Sequence, residues 1–430
     1  MSTLFPTRTF HDLRQTLLAR QEIALLDVRE EDVFARAHPL FAANLPLARI
    51  APDAWLRIPR LATEIVVYDD GEGLASTAAL ALRQLGYSRV SLLAGGLQGW
   101  CDAGGEIFID VNVPSKAFGE LVESQRHTPS LSAQEVQTLL DRKANVVVLD
   151  ARRFDEYRTM NIPGSISVPG AELVLRARSL APDPATHVIV NCAGRTRSII
   201  GTQSLVNAGL PNPVAALRNG TIGWTLEGQV LERGANRRFG AVAPALRAQA
   251  ATSARSVADK AGVSRVDVSA LARFLDESAR TTYLLDVRTP EEFATSHLPG
   301  FRSAPGGQLV QETDVTLPVR GARVVLTDDD GVRANMTGSW LAQMGWEVWV
   351  LDDVREAQST LRAVGARPWL ATEPTLTAEQ SALAAMPARR YRRPYEGTNN
   401  PREAMQGYLD WEYGLVAQLA RDGTHGFKVI

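Results

Sequence analysis

The sequence predicts an α/β protein made of three tandem domains, each a parallel sheet flanked by helices, with a C-terminal tail. The first observation behind this prediction is an apolar run that ends in Asp-x-Arg and leads into an acidic stretch closing on an aromatic residue. This pattern occurs three times, at residues 25–29, 148–152 and 284–288, with the aromatic residues Phe34, Tyr157 and Phe293. An internal repeat is sought first because it decides the whole architecture.

Two further spacings are the same in all three copies. The position 42 residues after each aspartate follows a second apolar run, and a glycine lies 17 residues further on. The first of these positions is occupied by Asp69, Cys192 and Asp328, and the glycines are Gly86, Gly209 and Gly345. A helical apolar pattern lies between them, the glycine suits a left-handed helix cap, and a third apolar run follows. Strand, loop, helix and strand in this order are typical of parallel α/β units.

The repeat also predicts the domain boundaries. We expect the first domain at residues 1–115, the second at 129–239 and the third at 262–367. The stretch 240–262 is rich in Ala, Arg and Ser and is predicted to be a linker or a connecting helix. Residues 368–430 carry many aromatic side chains, so we expect this extension to pack on the domains rather than to be disordered.

Composition excludes several classes of protein. The chain has 46 Lys and Arg against 48 Asp and Glu, a formal net charge of -2, and therefore lacks the basic excess that nucleic acid selects. It has no signal-peptide pattern and no uncharged apolar run of the roughly 18 residues that span a bilayer. Cys101 and Cys192 are its two cysteines, which is typical of a reducing compartment. We therefore expect a cytoplasmic protein with no nucleic-acid or membrane partner, no metal site and no cofactor.

The loop after the second apolar run of the middle copy is the candidate for chemistry. It reads Asn-Cys-Ala-Gly-Arg-Thr-Arg-Ser at residues 191–198 and joins a buried strand to a helix. Backbone N–H groups of such a turn converge with the helix dipole and favour an anion. A Cys192 thiolate there is expected to have a lowered pKa, helped by Arg195 and Arg197. Cys101 lacks basic neighbours and is predicted to be structural.

The second unit resembles a rhodanese domain nearly from end to end. The resemblance rests on Asp-x-Arg, Asn-Ile-Pro-Gly-Ser at 161–165, Cys192 opening a six-residue loop, and Arg-Asn-Gly-Thr-Ile-Gly-Trp at 218–224. The first unit shares Gly-Gly-Leu-Gln-Gly-Trp at 95–100, and the third shares His-Leu-Pro-Gly at 297–300. The architecture is similar to that of bacterial tandem rhodanese proteins, among them thiosulfate sulfurtransferases. The resemblance implies an enzyme that carries sulfur as a persulfide, takes it from thiosulfate or a similar anionic donor, and passes it to cyanide or a thiol.

The resemblance also implies roles for individual residues. Cys192 is the expected nucleophile, and backbone N–H groups across the substrate-binding loop would hold the persulfide. That loop consists of Ala193, Gly194, Arg195, Thr196, Arg197 and Ser198. Arg195 and Arg197 would attract the donor and stabilise the departing sulfite. As a loop residue, Arg197 is also expected to face solvent and to contribute little to folding. Asp150 and Arg152 recur in copies without the cysteine, which favours a scaffolding ion pair over a direct catalytic role.

The first and third domains are expected to be inactive. Asp69 and Asp328 occupy the cysteine position there, and a carboxylate forms no persulfide. Further acidic residues beside them would repel an anionic donor. These domains are predicted to serve as packing partners of the second.

Two other functions stay open at this point. A sulfur-carrier module would accept sulfur from a protein partner and deliver it to a protein acceptor with little turnover on small donors. A cysteine phosphatase or arsenate reductase would need an arginine six positions after the cysteine, where this chain has Ser198. The shorter loop suits a single sulfur atom better than a tetrahedral oxyanion.

Overall fold

The protein is described by a computed structural model that covers residues 5–352 and 367–430. Within these ranges three α/β units follow one another along the chain, and each has its own mainly parallel sheet. The predicted fold class is therefore confirmed. None of the helices in the described part of the chain is both long and apolar enough to cross a bilayer.

The first unit has a central sheet in the order β1-β5-β4-β2, and β3 also pairs with β2. Its strands are β1 (Thr7–Arg8), β2 (Ile23–Asp27), β3 (Ala43–Asn44), β4 (Glu64–Tyr68) and β5 (Arg89–Leu93). Its helices are α1 (Phe10–Leu18), α2 (Glu31–Phe34), α3 (Leu47–Arg57), α4 (Leu74–Gln84), α5 (Gly96–Asp102) and α6 (Val113–Arg126). Every residue of β2 is buried, as expected for a strand covered by helices on both faces.

The second unit repeats this arrangement with the strand order β6-β10-β9-β7-β8. Its strands are β6 (Ser130–Leu131), β7 (Val146–Asp150), β8 (Ile166–Ser167), β9 (His187–Asn191) and β10 (Val214–Leu217). Its helices are α7 (Ala133–Asp141), α8 (Phe154–Thr159), a 3-10 turn (Gly170–Glu172), α9 (Leu173–Leu180), α10 (Thr196–Asn207) and α11 (Gly220–Leu226). Local sequence fixes the start of the first helix in both units, because Thr9 with Asp12 and Ser132 with Glu135 form capping boxes.

The third unit has the strand order β11-β16-β15-β12-β13. Its strands are β11 (Ser264–Val266), β12 (Thr282–Asp286), β13 (Arg302–Ser303), β14 (Val319–Arg320), β15 (Arg323–Thr327) and β16 (Glu347–Leu351). The helix α12 (Pro244–Lys260) leads into it, and its own helices are α13 (Val268–Asp276), α14 (Pro290–Thr295), α15 (Gly306–Gln311), α16 (Thr313–Thr316) and α17 (Arg333–Gln343). The stretch predicted to be a linker or connecting helix thus forms the helix α12.

The three glycines of the repeat follow the ends of the helices that come after Asp69, Cys192 and Asp328. Gly86, Gly209 and Gly345 all have positive φ values, 96°, 66° and 88°. This left-handed conformation carries no steric penalty for glycine and turns the chain back toward the next strand.

The predicted domain boundaries stay predictions. The helix α6 begins before residue 115 and continues through the gap left between the first and second domains. Residues 1–4 and 353–366, which fall in the predicted first and third domains, lie outside the described residues.

The C-terminal extension contains two helices, α18 (Ala378–Ala384) and α19 (Arg402–Asp422). The longer helix α19 buries Met405, Leu409, Leu415 and Leu419 against the rest of the molecule. It packs along α6 and reaches α11 of the second unit. This placement brings the tail to the end of the second sheet at which strand β9 finishes.

Candidate active site

The loop that carries Cys192 lies at the carboxyl end of β9 and leads into α10. Within residues 5–352 and 367–430, the backbone N–H groups of residues 193–197 donate to no oxygen, and the first bond at the start of α10 runs from Ile199 N–H to Arg195 O. Free N–H groups at a turn and a helix start form a cup that favours an anion. We call this segment, residues 192–198, the Cys192 loop.

Backbone hydrogen bonds from α11 hold the Cys192 loop in place. Cys192 O accepts the N–H of Thr221 at 2.9 Å, and Ala193 O accepts the N–H of Ile222 at 3.0 Å. Gly220 permits this close approach, because a Cβ there would lie 2.3 Å from Cys192 O and its φ is +52°. Gly220, in the motif at residues 218–224, therefore allows the Cys192 loop to pack closely against α11.

The thiol itself is enclosed, with Cys192 only 2% exposed. Its Sγ lies 3.4 Å from Ser198 Oγ, which in turn donates to Arg195 O at 2.8 Å. Burial raises the pKa of the thiol above its ordinary value, while the charge of Arg197 and the hydrogen bonds of Ser198 act in the opposite direction. The expectation of a lowered pKa is wrong for the enclosed thiol, because loss of solvation outweighs the favourable charges.

The same cup holds a carboxylate in the two units that lack the cysteine. Asp69 Oδ2 accepts the N–H of Ala75 at 2.9 Å, and Asp328 Oδ2 accepts the N–H of Ala334 at 2.9 Å. Each donor lies six residues after the aspartate, as Ser198 does after Cys192. The three loops thus share one geometry, in which backbone N–H groups meet the side chain at this position, and the second unit differs in placing a nucleophilic sulfur there. In the third unit burial raises the pKa of Asp328 to about 8, so that group is mainly neutral at neutral pH.

Arg197 lies beside the cup and is held in a bidentate ion pair. Its Nη1 and Nη2 donate to the two carboxylate oxygens of Glu156 at 2.8 and 2.9 Å. Burial by itself would raise the pKa of Glu156, but the adjacent Arg197 outweighs it and lowers the pKa to about 2. The expectation of a solvent-facing arginine is wrong, because the Arg197 side chain is largely enclosed by this pair. Its expected small effect on folding stays a prediction, and Glu156 has a second partner in Arg153, whose Nε lies 3.3 Å from Oε2.

The Arg195 side chain binds other residues of the protein, whereas the sequence predicted that it would attract the anionic donor. Its guanidinium binds Glu120 at 2.7 and 2.8 Å, pairs with Glu123, and donates to Asn219 Oδ1 at 3.1 Å and to Tyr413 Oη at 2.8 Å. The ring of Tyr413 also lies 3.9 Å from the guanidinium carbon. The side chain is therefore engaged in tying the Cys192 loop to α6 and to the tail, while its backbone N–H remains in the cup.

Asp150 and Arg152 form a buried ion pair at the end of β7, with Asp150 Oδ2 2.7 Å from Arg152 Nη2. Asn191, the residue before Cys192, donates to Asp150 Oδ2 at 2.8 Å, so the pair also positions the start of the Cys192 loop. Matching pairs occur in the other units, between Asp27 and Arg29 at 2.6 Å and between Asp286 and Arg288 at 2.7 Å. In each unit the arginine also donates to a backbone carbonyl eight residues on, which is the geometry of a scaffold.

The tail covers the Cys192 loop, and no pattern in the sequence predicted this contact. A Cβ built on Gly194 would lie 3.0 Å from Glu412 Oε2 and 3.1 Å from Tyr408 Cε1. Tyr408 Oη donates to Glu412 Oε1 at 2.8 Å. The aromatic content of the tail indicated packing, but no local pattern pointed to the residues that meet the loop.

A cavity of about 420 Å³ lies between the second and third units. Its wall includes Arg197 and Phe154 on one side and Arg288 on the other. Small-molecule sites typically have volumes of this order.

The second cysteine, Cys101, lies exposed on α5, and its predicted structural role stays a prediction.

Comparison with known proteins agrees with this architecture. The family model described as a rhodanese-like domain matches residues 9–103, 132–227 and 267–354, which is more than half of the chain. No curated protein matched the chain.

Among solved structures, the thiosulfate sulfurtransferase from Pseudomonas aeruginosa is 57% identical, with 99% of this chain and 100% of that chain covered and a TM-score of 0.93. Single-domain structures match smaller parts. The rhodanese-like domain of an Anabaena sp. protein is 22% identical over 27% of this chain and 92% of its own, with a TM-score of 0.23. A rhodanese-related protein from Thermoplasma volcanium is 24% identical over 24% of this chain and 97% of its own, with a TM-score of 0.22.

Three copies of one domain, a matching loop in each and a likeness over the whole length lead to one assignment: the chain belongs to the rhodanese-like family.

Proposed function

We propose that this protein moves a sulfane sulfur atom from thiosulfate, or a similar anionic donor, to a thiophilic acceptor through a persulfide on Cys192. The observation that carries the proposal is the shared cup of backbone N–H groups. Its N–H groups donate to side-chain oxygens of Asp69 and Asp328 in two units, and they lie around the thiol of Cys192 in the third. N–H groups that already bind acceptor atoms at this position are suited to the negative charge of a persulfide.

The coarser prediction, a sulfurtransferase enzyme of the rhodanese type, is confirmed by the likeness to the thiosulfate sulfurtransferase from Pseudomonas aeruginosa. That likeness covers 99% of this chain. The persulfide, the acceptor and the roles of individual residues are the part that we propose.

In the first half-reaction, Cys192 Sγ attacks the outer sulfur of thiosulfate. The new S–S bond forms as the donor's S–S bond breaks, and the electron pair leaves with sulfite. Burial keeps the resting thiol protonated, so its proton departs with the leaving group as bisulfite. The terminal persulfide sulfur then carries the negative charge, which the N–H groups of residues 193–198 and the Arg197 guanidinium stabilise.

In the second half-reaction a thiol or cyanide attacks the terminal sulfur and releases the Cys192 thiolate. The cavity beside Arg197 has room for a small donor or acceptor. A protein acceptor remains an alternative within this scheme. We include in the proposal a cytoplasmic location, no nucleic-acid or membrane partner, and inactive first and third domains that position the second.

Intact-mass measurement after incubation with thiosulfate tests the proposal. We expect one adduct of about 32 Da, the mass of one sulfur atom, that cyanide removes. Cys192→Ser should show no adduct, whereas Cys101→Ser, a matched change at the other cysteine, should behave like the unaltered protein.

Three results would count against the proposal. An adduct that still forms on Cys192→Ser would place the chemistry at another residue. An adduct formed only with a persulfidated protein donor would favour the carrier module. Turnover of p-nitrophenyl phosphate without turnover of thiosulfate would favour a phosphatase.

A further inference from the structure

The tail helix α19 brings a second ionisable group to the Cys192 site. Glu412 is only 1% exposed and lies against Gly194, with its Oε2 3.0 Å from the position of a Cβ built on that glycine. Its negative charge, when present, acts to raise the pKa of the Cys192 thiol. The carboxyl therefore belongs to the electrostatic environment of the nucleophile.

Glu412 is held in place by a buried anchor that we call the Lys116 cage. Lys116 Nζ lies 2.6 Å from Asp110 Oδ1 and is surrounded by aromatic rings of the tail. The centroids of Tyr395, Tyr408 and Trp411 lie 5.8, 5.0 and 5.3 Å from this nitrogen. A cation enclosed by three rings and a carboxylate is a specific contact, so the register of α19 over the Cys192 loop is well determined.

One oxygen of Glu412 is left without a partner. Oε1 accepts from Tyr408 Oη at 2.8 Å, but Oε2 is buried and has no hydrogen-bond partner among the described residues. A buried carboxyl oxygen without a partner is unfavourable, because it has lost its hydrogen bonds to water without replacing them. This oxygen is therefore free to form a hydrogen bond with a group bound beside the Cys192 loop.

Charged groups from each neighbouring element act on this carboxyl. Lys116 and Glu120 face it from α6, Arg195 and Cys192 from the Cys192 loop, and Tyr408 from its own helix. Burial is the largest influence and raises the pKa of Glu412 to about 8, and Glu120 adds to this, while Lys116, Tyr408 and Arg195 oppose it. At neutral pH the carboxyl is therefore mainly protonated and can donate a hydrogen bond.

We propose that Glu412 is a substrate-binding residue of the sulfur-transfer site, whose neutral carboxyl donates a hydrogen bond from Oε2 to the anionic sulfur compound bound at Cys192. This inference rests on the proposed function. The carboxyl keeps its proton throughout the reaction, so the atom and electron balance of the transfer is unchanged. When Glu412 ionises, it loses the donated hydrogen bond and repels the donor.

The pH dependence of kcat/KM for thiosulfate tests the inference. In the unaltered protein we expect kcat/KM to fall about tenfold for each pH unit above about 8. Glu412→Gln keeps a donor without a titrating group, so this decline should be absent. Glu403→Gln, the same change at an exposed position of α19, should retain the decline. Two results would overturn the inference while leaving sulfur transfer intact. One is an unaltered protein that turns over thiosulfate without this decline in kcat/KM, and the other is an equal decline in Glu412→Gln.

A second measurement does not depend on sulfur transfer. In a Cys101→Ser background, the ultraviolet absorbance of the thiolate reports the pKa of Cys192 by difference from a Cys192→Ser variant. Glu412→Gln should lower that pKa by about one unit, because the neutral amide removes a nearby negative charge. An unchanged pKa would contradict the placement of Glu412. A shifted pKa in a protein that transfers no sulfur would instead show the failure of the proposed function.

Discussion

Arg197 illustrates how one residue can serve both folding and chemistry. Its position in the Cys192 loop is clear from the sequence. Its partner Glu156 lies on α8, six residues after Asp150 and 41 residues before Arg197 in the chain. The third unit repeats this pair, since Arg333 contacts Glu292 in the equivalent positions. The recurrence of the pair in a unit without the cysteine shows that part of its role is structural.

A double-mutant cycle separates the two roles of Arg197. Arg197→Ala should lower the free energy of unfolding by about 2 kcal/mol, because the half-buried Glu156 carboxylate loses its bidentate partner and keeps only Arg153. Adding Glu156→Ala should recover at least about 1 kcal/mol of this loss, measured by urea unfolding.

Activity should not follow stability in this cycle. We expect kcat/KM for thiosulfate to fall about a hundredfold in Arg197→Ala and to stay low in the double variant, since the charge beside the leaving sulfite is still missing. Additive losses of stability, or activity recovered by the second change, would argue that Arg197 acts only through folding.

Among individual residues, the sequence identified those whose role depends on local order. Cys192, Asp150 and Arg152 were found from the repeat alone, because strand, loop and helix follow from a local pattern. Glu156, Glu120 and Glu412 were missed, since an isolated glutamate in a sequence carries no signal of what it will face.

The elements that matter most are the three equivalent loops and the tail helix. The cup in each loop forms because a buried strand ends where a helix begins, which is a local property of the sequence. The helix α19 differs, because its placement over the Cys192 loop depends on the Lys116 cage and on the contact between Tyr413 and Arg195.

Stability should depend on pH through α19. The pKa of Glu412 is raised from 4.5 to about 8 in the folded protein, so its contribution to stability is fully present below about 4.5 and is lost as the pH rises through 8. The unaltered protein should therefore lose melting temperature between these values. Glu412→Gln should be more stable than the unaltered protein by on the order of 3 kcal/mol at pH 8.

Thermal melts at several pH values check this expectation. The two proteins should have similar melting temperatures near pH 4.5 and should diverge as the pH rises. Glu403→Gln provides the control, since that carboxyl is exposed. Parallel curves for Glu412→Gln and the unaltered protein would mean that Glu412 is not buried in its neutral form.

The whole molecule is more tightly joined than a chain of three repeats requires. The strand β14 of the third unit pairs antiparallel with β2 of the first, with Val319 opposite Ala24. Glu22 of the first unit accepts from Thr281 N–H at 2.8 Å and from Arg60 at 2.8 Å at the same boundary. One apolar cluster contains residues from all three units and from the tail, among them Leu26, Phe118, Ile199, Leu326 and Leu419.

The third unit also contacts the second through Arg333, which lies 2.9 Å from Glu172. Arg333 is the counterpart of Arg197, so the third unit uses its loop arginine to hold the second unit. This contact supports the predicted role of the third domain as a packing partner of the second.

We expect the described units and the tail to unfold in one cooperative transition. Tryptophan fluorescence and far-ultraviolet circular dichroism should give coincident denaturation curves, because a shared apolar cluster couples the units. Glu22→Ala should lower the midpoint of that single transition rather than divide it. Separate transitions in the unaltered protein would show that the units are thermodynamically independent.

The sequence by itself determined the three α/β repeats, the cysteine position and the carboxylates that replace it. These features depend on periodicity and spacing within about 60 residues, where backbone geometry follows local order. Only the tertiary structure decided that Arg195 binds α6, that Arg333 holds the second unit and that Glu412 lies against Gly194 of the Cys192 loop. Those contacts join residues far apart in the chain, and burial rather than residue type sets the charge states of the thiol and the carboxyl.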